Sequence, residues 1–193
     1  MSNSICDRLV QDFGPSLSYN AQELRPSFIA NCVFNGFLSY MAIMLNILTV
    51  YAIRKTSSLP QGLKTLLLSL AVSDLGVGSL VQPLYIALLV NRLQENLRNC
   101  TIIVAFGIFM TLFSAASFFG VMALIADRYL AIYLHLRYQE LVPLRRVVTA
   151  VISIWVFSVF LTLISVWAPK TISSKIIGIT DFVCFIATMF LKL

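Results

Sequence analysis

The sequence predicts an all-α, multi-pass transmembrane helical bundle, with four complete spans and a fifth cut short by the chain end. Three observations predict it. First, the 193 residues are 59% hydrophobic and 11% charged, with a mean hydropathy of +0.90. Soluble domains are roughly 45–50% apolar and about 25% charged. One small core cannot hide that excess, so lipid must solvate the chain. Second, apolar runs recur at the length of about 20 residues that a helix needs to cross roughly 30 Å of hydrocarbon. Third, the charges, net +6, fall in short clusters between those runs. Membrane topology explains that placement, and it gives no reason to expect nucleic acid as a partner.

Each element follows from the same reading. Residues 1–27 are polar and mixed in charge, with no apolar core of a signal peptide, so they form an N-terminal tail and the first apolar run directs its own insertion. Residues 28–193 form the membrane domain. Its first span is 28–53, which carries no charge, and its second is 64–90, where Asp74 is the only charge after Lys64. The third is 100–133, uncharged from Thr101 to Ala126, and the fourth is 147–168, again uncharged. The fifth, 176–193, is apolar except for Asp181 and Lys192. Backbone groups in lipid must bond internally, so the spans are helices, and the alternation of a membrane barrel is absent. The connections are short: Arg54 to Gly62 with Pro60 and Gly62 as turn residues, Asn91 to Arg98, Leu134 to Arg146, and Pro169 to Lys175.

Orientation rests on the basic residues. With the N-terminus outside, Arg54, Lys55, Lys64, Arg128, Arg137, Arg145 and Arg146 lie inside. Arg8, Arg25, Arg92, Arg98, Lys170 and Lys175 then lie outside. The near-tie breaks toward N-out, because Arg8 is far from any span and the two inner loops are densely basic. Cys32 and Cys184 lie in apolar runs as buried thiols, while Cys6 and Cys100 share the outer side and a disulfide between them stays open. No CxxC pair and a single histidine, His135, argue against zinc or haem. No Ser/His/Asp, Cys/His or paired-carboxylate set converges, so an enzyme is not expected and no cofactor is implied by the residues.

Several polar residues sit where lipid would reject them. Asp74 lies within the second span, and a mid-membrane carboxylate costs about 2.5–3.5 kcal/mol on insertion scales. It should face the bundle interior and hold a proton, a partner or a cation. A neutral, hydrogen-bonded acid of structural use is the plainer alternative. Asp127-Arg128-Tyr129 closes the uncharged third run. Snorkelling of an interfacial pair would suffice to explain it alone. Met110, Ser114, Ser117, Val121, Leu124 and Arg128 are spaced by four, three, four, three and four residues, which is one helical face. The 18 residues from Met110 to Arg128 span about 27 Å. Asn46 and Trp155 in the first and fourth spans suit interhelical packing, and Pro83 should kink the second span because it lacks a donor.

Taken together, Asn46, Leu70-Ala71-Val72-Ser73-Asp74, Pro83, Asp127-Arg128-Tyr129 and Trp155 resemble the signature of rhodopsin-like, class A G-protein-coupled receptors. The order and spacing fit across residues 28–168, and the run from Asp127 through Leu136-Arg137-Tyr138 looks most like the adenosine and melanocortin branch. The resemblance implies an incomplete seven-helix receptor fold in the plasma membrane. Its partners would be an extracellular ligand and a heterotrimeric G protein. Arg128 would be the latch of the cytoplasmic face, paired with Asp127 at rest, with Tyr129 supporting that face. Asp74 and Ser117 would be two ligands of an allosteric sodium ion. Met110 stands where aminergic receptors carry an aspartate, which disfavours a monoamine. Met110, Thr111 and Ser114 are then candidate pocket residues.

There are departures from the family's pattern. Ile103 stands where the family usually has a disulfide cysteine, with Cys100 about one turn early, and Pro169–Lys175 has no cysteine. The usual bridge is therefore not expected, as in melanocortin receptors. Leu45 replaces the usual glycine before Asn46, and His135 the usual loop proline. Asn99-Cys100-Thr101 is a glycosylation sequon that abuts the membrane. Helices six and seven are missing, so the expectation is a fragment, an incomplete reading of the gene or a truncated form that does not signal alone. Two other functions compete: a non-signalling truncated protein that scaffolds or traps partner receptors, and a piece of an ion or proton transporter with Asp74 on its path.

Overall fold

In a computed structural model of the protein, residues 21–93, 100–134 and 143–167 are described, and every regular element among them is helical. The helices are α1 (Ala21–Lys55), α2 (Gln61–Gly76), a π-helical turn (Val77–Val81), α3 (Gln82–Leu93), α4 (Cys100–Leu134) and α5 (Leu144–Trp167). α2, the π turn and α3 run on as one rod, so the described chain makes four rods, each long and apolar enough to cross a membrane. α4, with 35 residues, is about 52 Å long and outreaches the roughly 30 Å hydrocarbon layer. The expected fifth span at 176–193, Cys6, Cys184, His135, the side chain of Cys100 and the loop 169–175 lie outside the described residues.

The helices extend past the apolar runs. α1 begins at Ala21, within the stretch expected as tail, and takes Arg25 and Pro26 into its early turns. α5 begins at Leu144, and so includes Arg145 and Arg146. The turn between α1 and α2 is tight: Thr56 N–H donates to Ala52 O at 3.0 Å, and Lys64 N–H to Pro60 O at 3.1 Å.

Packing is inverted relative to a water-soluble protein. The most buried side chains are serines, Ser73 at 1% and Ser158 at 0% exposure, and the small residues Ala71, Ala115, Ala116 and Thr162 are buried beside larger ones such as Leu66, Leu89 and Phe106. Large apolar residues such as Phe37, Tyr40, Leu48, Val156 and Phe160 point outward. Between helices in lipid there is no hydrophobic drive, so close contact needs small side chains. Ser158 and Thr162 donate to Ile154 O and Ser158 O, each at 2.8 Å. Their polarity is thus satisfied within α5, which packs on α4 and α2.

α4 is the central rod, packed against α2 and α5. Aromatic edges knit this core: Phe113 meets Trp155 edge-on at 6.4 Å, and Phe119 meets Phe157 at 5.3 Å. Gly76 is required where α2 crosses α4, because a Cβ there would lie 2.3 Å from Phe113 Cε1.

The irregularity expected at Pro83 appears upstream of it, as the π turn Val77–Val81. A proline removes a backbone donor and crowds the preceding turn, and a widened turn relieves both effects.

Candidate functional site

The middle of the bundle holds an oxygen cluster built by two helices. Ser73 and Asp74 come from α2 and Ser117 from α4, which brings Ser117 Oγ within 2.8 Å of Ser73 Oγ and 3.1 Å of Asp74 Oδ1. Ser73 Oγ donates to Leu70 O at 2.8 Å. Ser117 has one proton for two acceptors. With a proton on Asp74, a relay Asp74–Ser117–Ser73–Leu70 O uses every donor. With a carboxylate, the Ser117 proton turns to Asp74, and the two serine oxygens then face each other with lone pairs. A hard cation would fill that gap, and a carboxylate with two hydroxyls is an all-oxygen donor set of the kind such ions take. The residues therefore fit a sodium ion. No group of three or more His, Cys, Asp or Glu exists among the described residues, which leaves no site of the transition-metal type there.

Along the same helix, Asp127 and Arg128 lie about two turns before the end of α4. Arg128 Nε donates to Asp127 Oδ2 at 3.2 Å, and Nη2 reaches the same oxygen. Asp127 is buried, whereas the Arg128 side chain is 42% exposed. The acid is thus held inside the bundle, while the guanidinium is partly exposed. Tyr129 is exposed and stacks on Tyr133 at 6.0 Å.

Toward the other end of α4, Met110 and Ser114 are exposed, on a face that no described element covers. Thr111 is half-buried and donates to Gly107 O at 2.8 Å. Met110, Ser114, Ser117 and Arg128 thus lie along one rod, as the spacing required, but Thr111 is turned into its own helix.

The family marks behave differently from one another. Trp155 Nε1 donates to Ser69 Oγ at 3.1 Å and ties α5 to α2. Asn46 Nδ2 donates back to Ala42 O at 2.8 Å, so among the described residues it makes no hydrogen bond to Asp74. Replacing Trp155 by phenylalanine is expected to remove the Ser69 bond and the part of the ring that phenylalanine lacks, while an aromatic ring still faces Phe113. That should lower stability by about 1 kcal/mol, read from a detergent-denaturation midpoint of the purified chain.

Sequence reasoning did not single out Ser69, nor Asn31, Asn35 and Tyr85. Asn35 Nδ2 donates to Asn31 O at 2.9 Å, and Asn31 Nδ2 makes a long bond of 3.4 Å to Tyr85 Oη. Their signal was present as two asparagines one turn apart within an apolar run.

Comparisons with known proteins match the chain to a family of membrane receptors. The family described as 7 transmembrane receptor (rhodopsin family) matches residues 45–192. The chain is 31% identical over 126 residues to the adenosine receptor A2b of Gallus gallus, covering 65% of this chain and 36% of that receptor. It is 31% identical over 149 residues to the adenosine receptor A3 of Canis lupus familiaris, covering 74% of this chain and 45% of the relative. Against the adenosine receptor A3 of Ovis aries the identity is 30% over 135 residues, 69% of this chain and 41% of the relative. The chain thus spans less than half the length of the relatives it matches. A membrane bundle with an acid–hydroxyl cluster at its middle and an Asp–Arg pair near one end of its central helix belongs, by this match, to the rhodopsin family of seven-transmembrane receptors.

Proposed function

We propose that this chain is the part of a G-protein-coupled receptor that senses an extracellular ligand at one end of α4 and meets a heterotrimeric G protein at the other. The N-terminus lies outside the plasma membrane, and Arg128 lies inside. The observation that carries the reading is the course of α4. One rod bears the open Met110–Ser114 face, the Ser117 contact to Asp74, and the exposed Arg128 guanidinium held by buried Asp127.

Each part has a chemical task. Met110 offers no charge to an amine, so the ligand is not a monoamine. Ser114 supplies a hydroxyl for a polar, uncharged ligand, and the adenosine receptors among the relatives make a nucleoside the first to try. Asp74, Ser73 and Ser117 hold sodium in one state and a proton relay in the other, so occupancy biases a two-state bundle. Asp127 restrains Arg128 in the resting state. Tyr129 and its stacked partner Tyr133 flank the surface that the G protein meets.

The test uses the chain together with whatever coding sequence follows Leu193 in its transcript. Asp127→Asn is expected to raise basal nucleotide exchange on co-expressed G proteins several-fold, because the buried carboxylate no longer holds Arg128. Arg128→Ala is expected to reduce exchange to the level of cells lacking the receptor. Exchange unchanged by both substitutions, at equal surface expression, would remove Arg128 from the coupling face and this reading with it.

A further inference from the structure

The π turn poses a question of hydrogen-bond accounting. In an α-helix Gly78 O would accept from the N–H of residue 82, and in a π-helix from that of residue 83. Gln82 N–H is directed to Val77 O. Residue 83 is a proline and has no N–H. Gly78 O therefore loses both of its regular backbone donors. Gly78 is itself buried, where an unsatisfied carbonyl is expensive.

Ser39 of α1 answers it. Its Oγ donates to Gly78 O at 2.6 Å, across a separation of 39 residues. The approach is close because residue 78 is glycine. A Cβ there would stand 3.1 Å from Ile43 Cγ1, 3.3 Å from Ala42 Cβ and 3.3 Å from Ser39 O. Pro83, Gly78 and Ser39 thus form one device. The proline vacates a donor position, the glycine admits α1, and the serine supplies the donor.

We propose that the Ser39 hydroxyl stands in for the missing Pro83 N–H and so holds the π turn in place. Ser39 is then a positioning residue for α3. An extra residue in one turn rotates everything beyond it by about 100° relative to a straight helix. That rotation sets how Tyr85 meets Asn31 and Phe106 while Asp74, before the turn, keeps its place beside Ser117.

A double-mutant cycle on the full chain in nanodiscs tests it. Ser39→Ala is expected to lower the folding equilibrium constant about tenfold, the scale of one unsatisfied buried carbonyl. Pro83→Ala restores a backbone N–H, so in that background Ser39→Ala is expected to have an effect of less than about twofold. Equal losses in both backgrounds, or no loss in either, overturn the proposal. Should Pro83→Ala fail to fold, the near-isosteric pair decides: Ser39→Thr keeps the hydroxyl and Ser39→Val removes it. Equal stability of that pair overturns the proposal, and a clear advantage for threonine upholds it. Register is read by disulfide trapping of Asn31→Cys with Tyr85→Cys, in a chain whose native cysteines are changed to serine. Trapping is expected to slow about tenfold when Ser39→Val is added, and an unchanged rate overturns the positioning role.

Discussion

Gly76→Ala is expected to destabilise the bundle by about 1–3 kcal/mol, toward the upper end of that range for an overpacked interior. The methyl group would enter the ring of Phe113, whose Cε1, Cζ and Cδ1 lie 2.3, 2.4 and 2.7 Å from the Cβ position. Relief requires the ring to move. Phe113 is held edge-on against Trp155 and stacked on Phe109 at 6.2 Å. Trp155 is in turn bonded to Ser69 on the same α2 that carries Gly76. Any shift of the ring therefore strains the contacts joining α2, α4 and α5. A denaturation titration of the chain in mixed micelles, followed by tryptophan fluorescence, measures the loss. Combining Gly76→Ala with Phe113→Leu should recover part of it, because the shorter side chain vacates the position. Additive losses in the double variant would mean that the methyl group clashes elsewhere.

The same contacts show what the sequence could and could not convey. The rods were legible because charge is excluded from hydrocarbon: the charge-free stretches from Phe28, Thr101 and Val147 mark three of them directly. Ser117 was legible through its helical spacing from Arg128, and Asp74 through its isolation in an apolar run. Their meeting at 3.1 Å required the relative rotation of α2 and α4, which spacing within one helix does not contain. In water an apolar stripe would reveal the buried face. In lipid both faces are apolar, so large buried residues such as Leu66 and Phe106 look like exposed ones, and only small residues such as Ala71, Ser73 and Ser158 distinguish the buried face. That weak signal is why Ser69 went unremarked beside Trp155. The π turn was hidden for a different reason. Pro83 announces a lost donor, but its replacement comes from Ser39, on another helix.

The inverted packing leads to the second large effect. Val156→Arg is expected to cost about 2.5–3.5 kcal/mol of membrane insertion, the penalty for a cation at mid-membrane. Val156 is the thirteenth of the 24 residues of α5, about 18 Å from either end. It is 64% exposed and shares an open, shallow groove with Ile152, Ser153, Phe157 and Phe160. An arginine there can snorkel only part of the way to water. The control is Ile132→Arg, two residues from the end of α4 and 77% exposed. It lies just past Arg128, where a long cationic side chain reaches the headgroups, so its cost should be under about 1 kcal/mol. The two sites are alike in exposure and apolarity and differ in depth. If the outward faces of the rods met water, the two substitutions would be tolerated equally. A glycosylation-mapping insertion assay with an acceptor site engineered beyond each helix measures both. Loss of insertion for Val156→Arg with retention for Ile132→Arg locates the α5 face in the bilayer core. Equal tolerance would place that face in water and remove the membrane setting assumed for the half-buried Asp74.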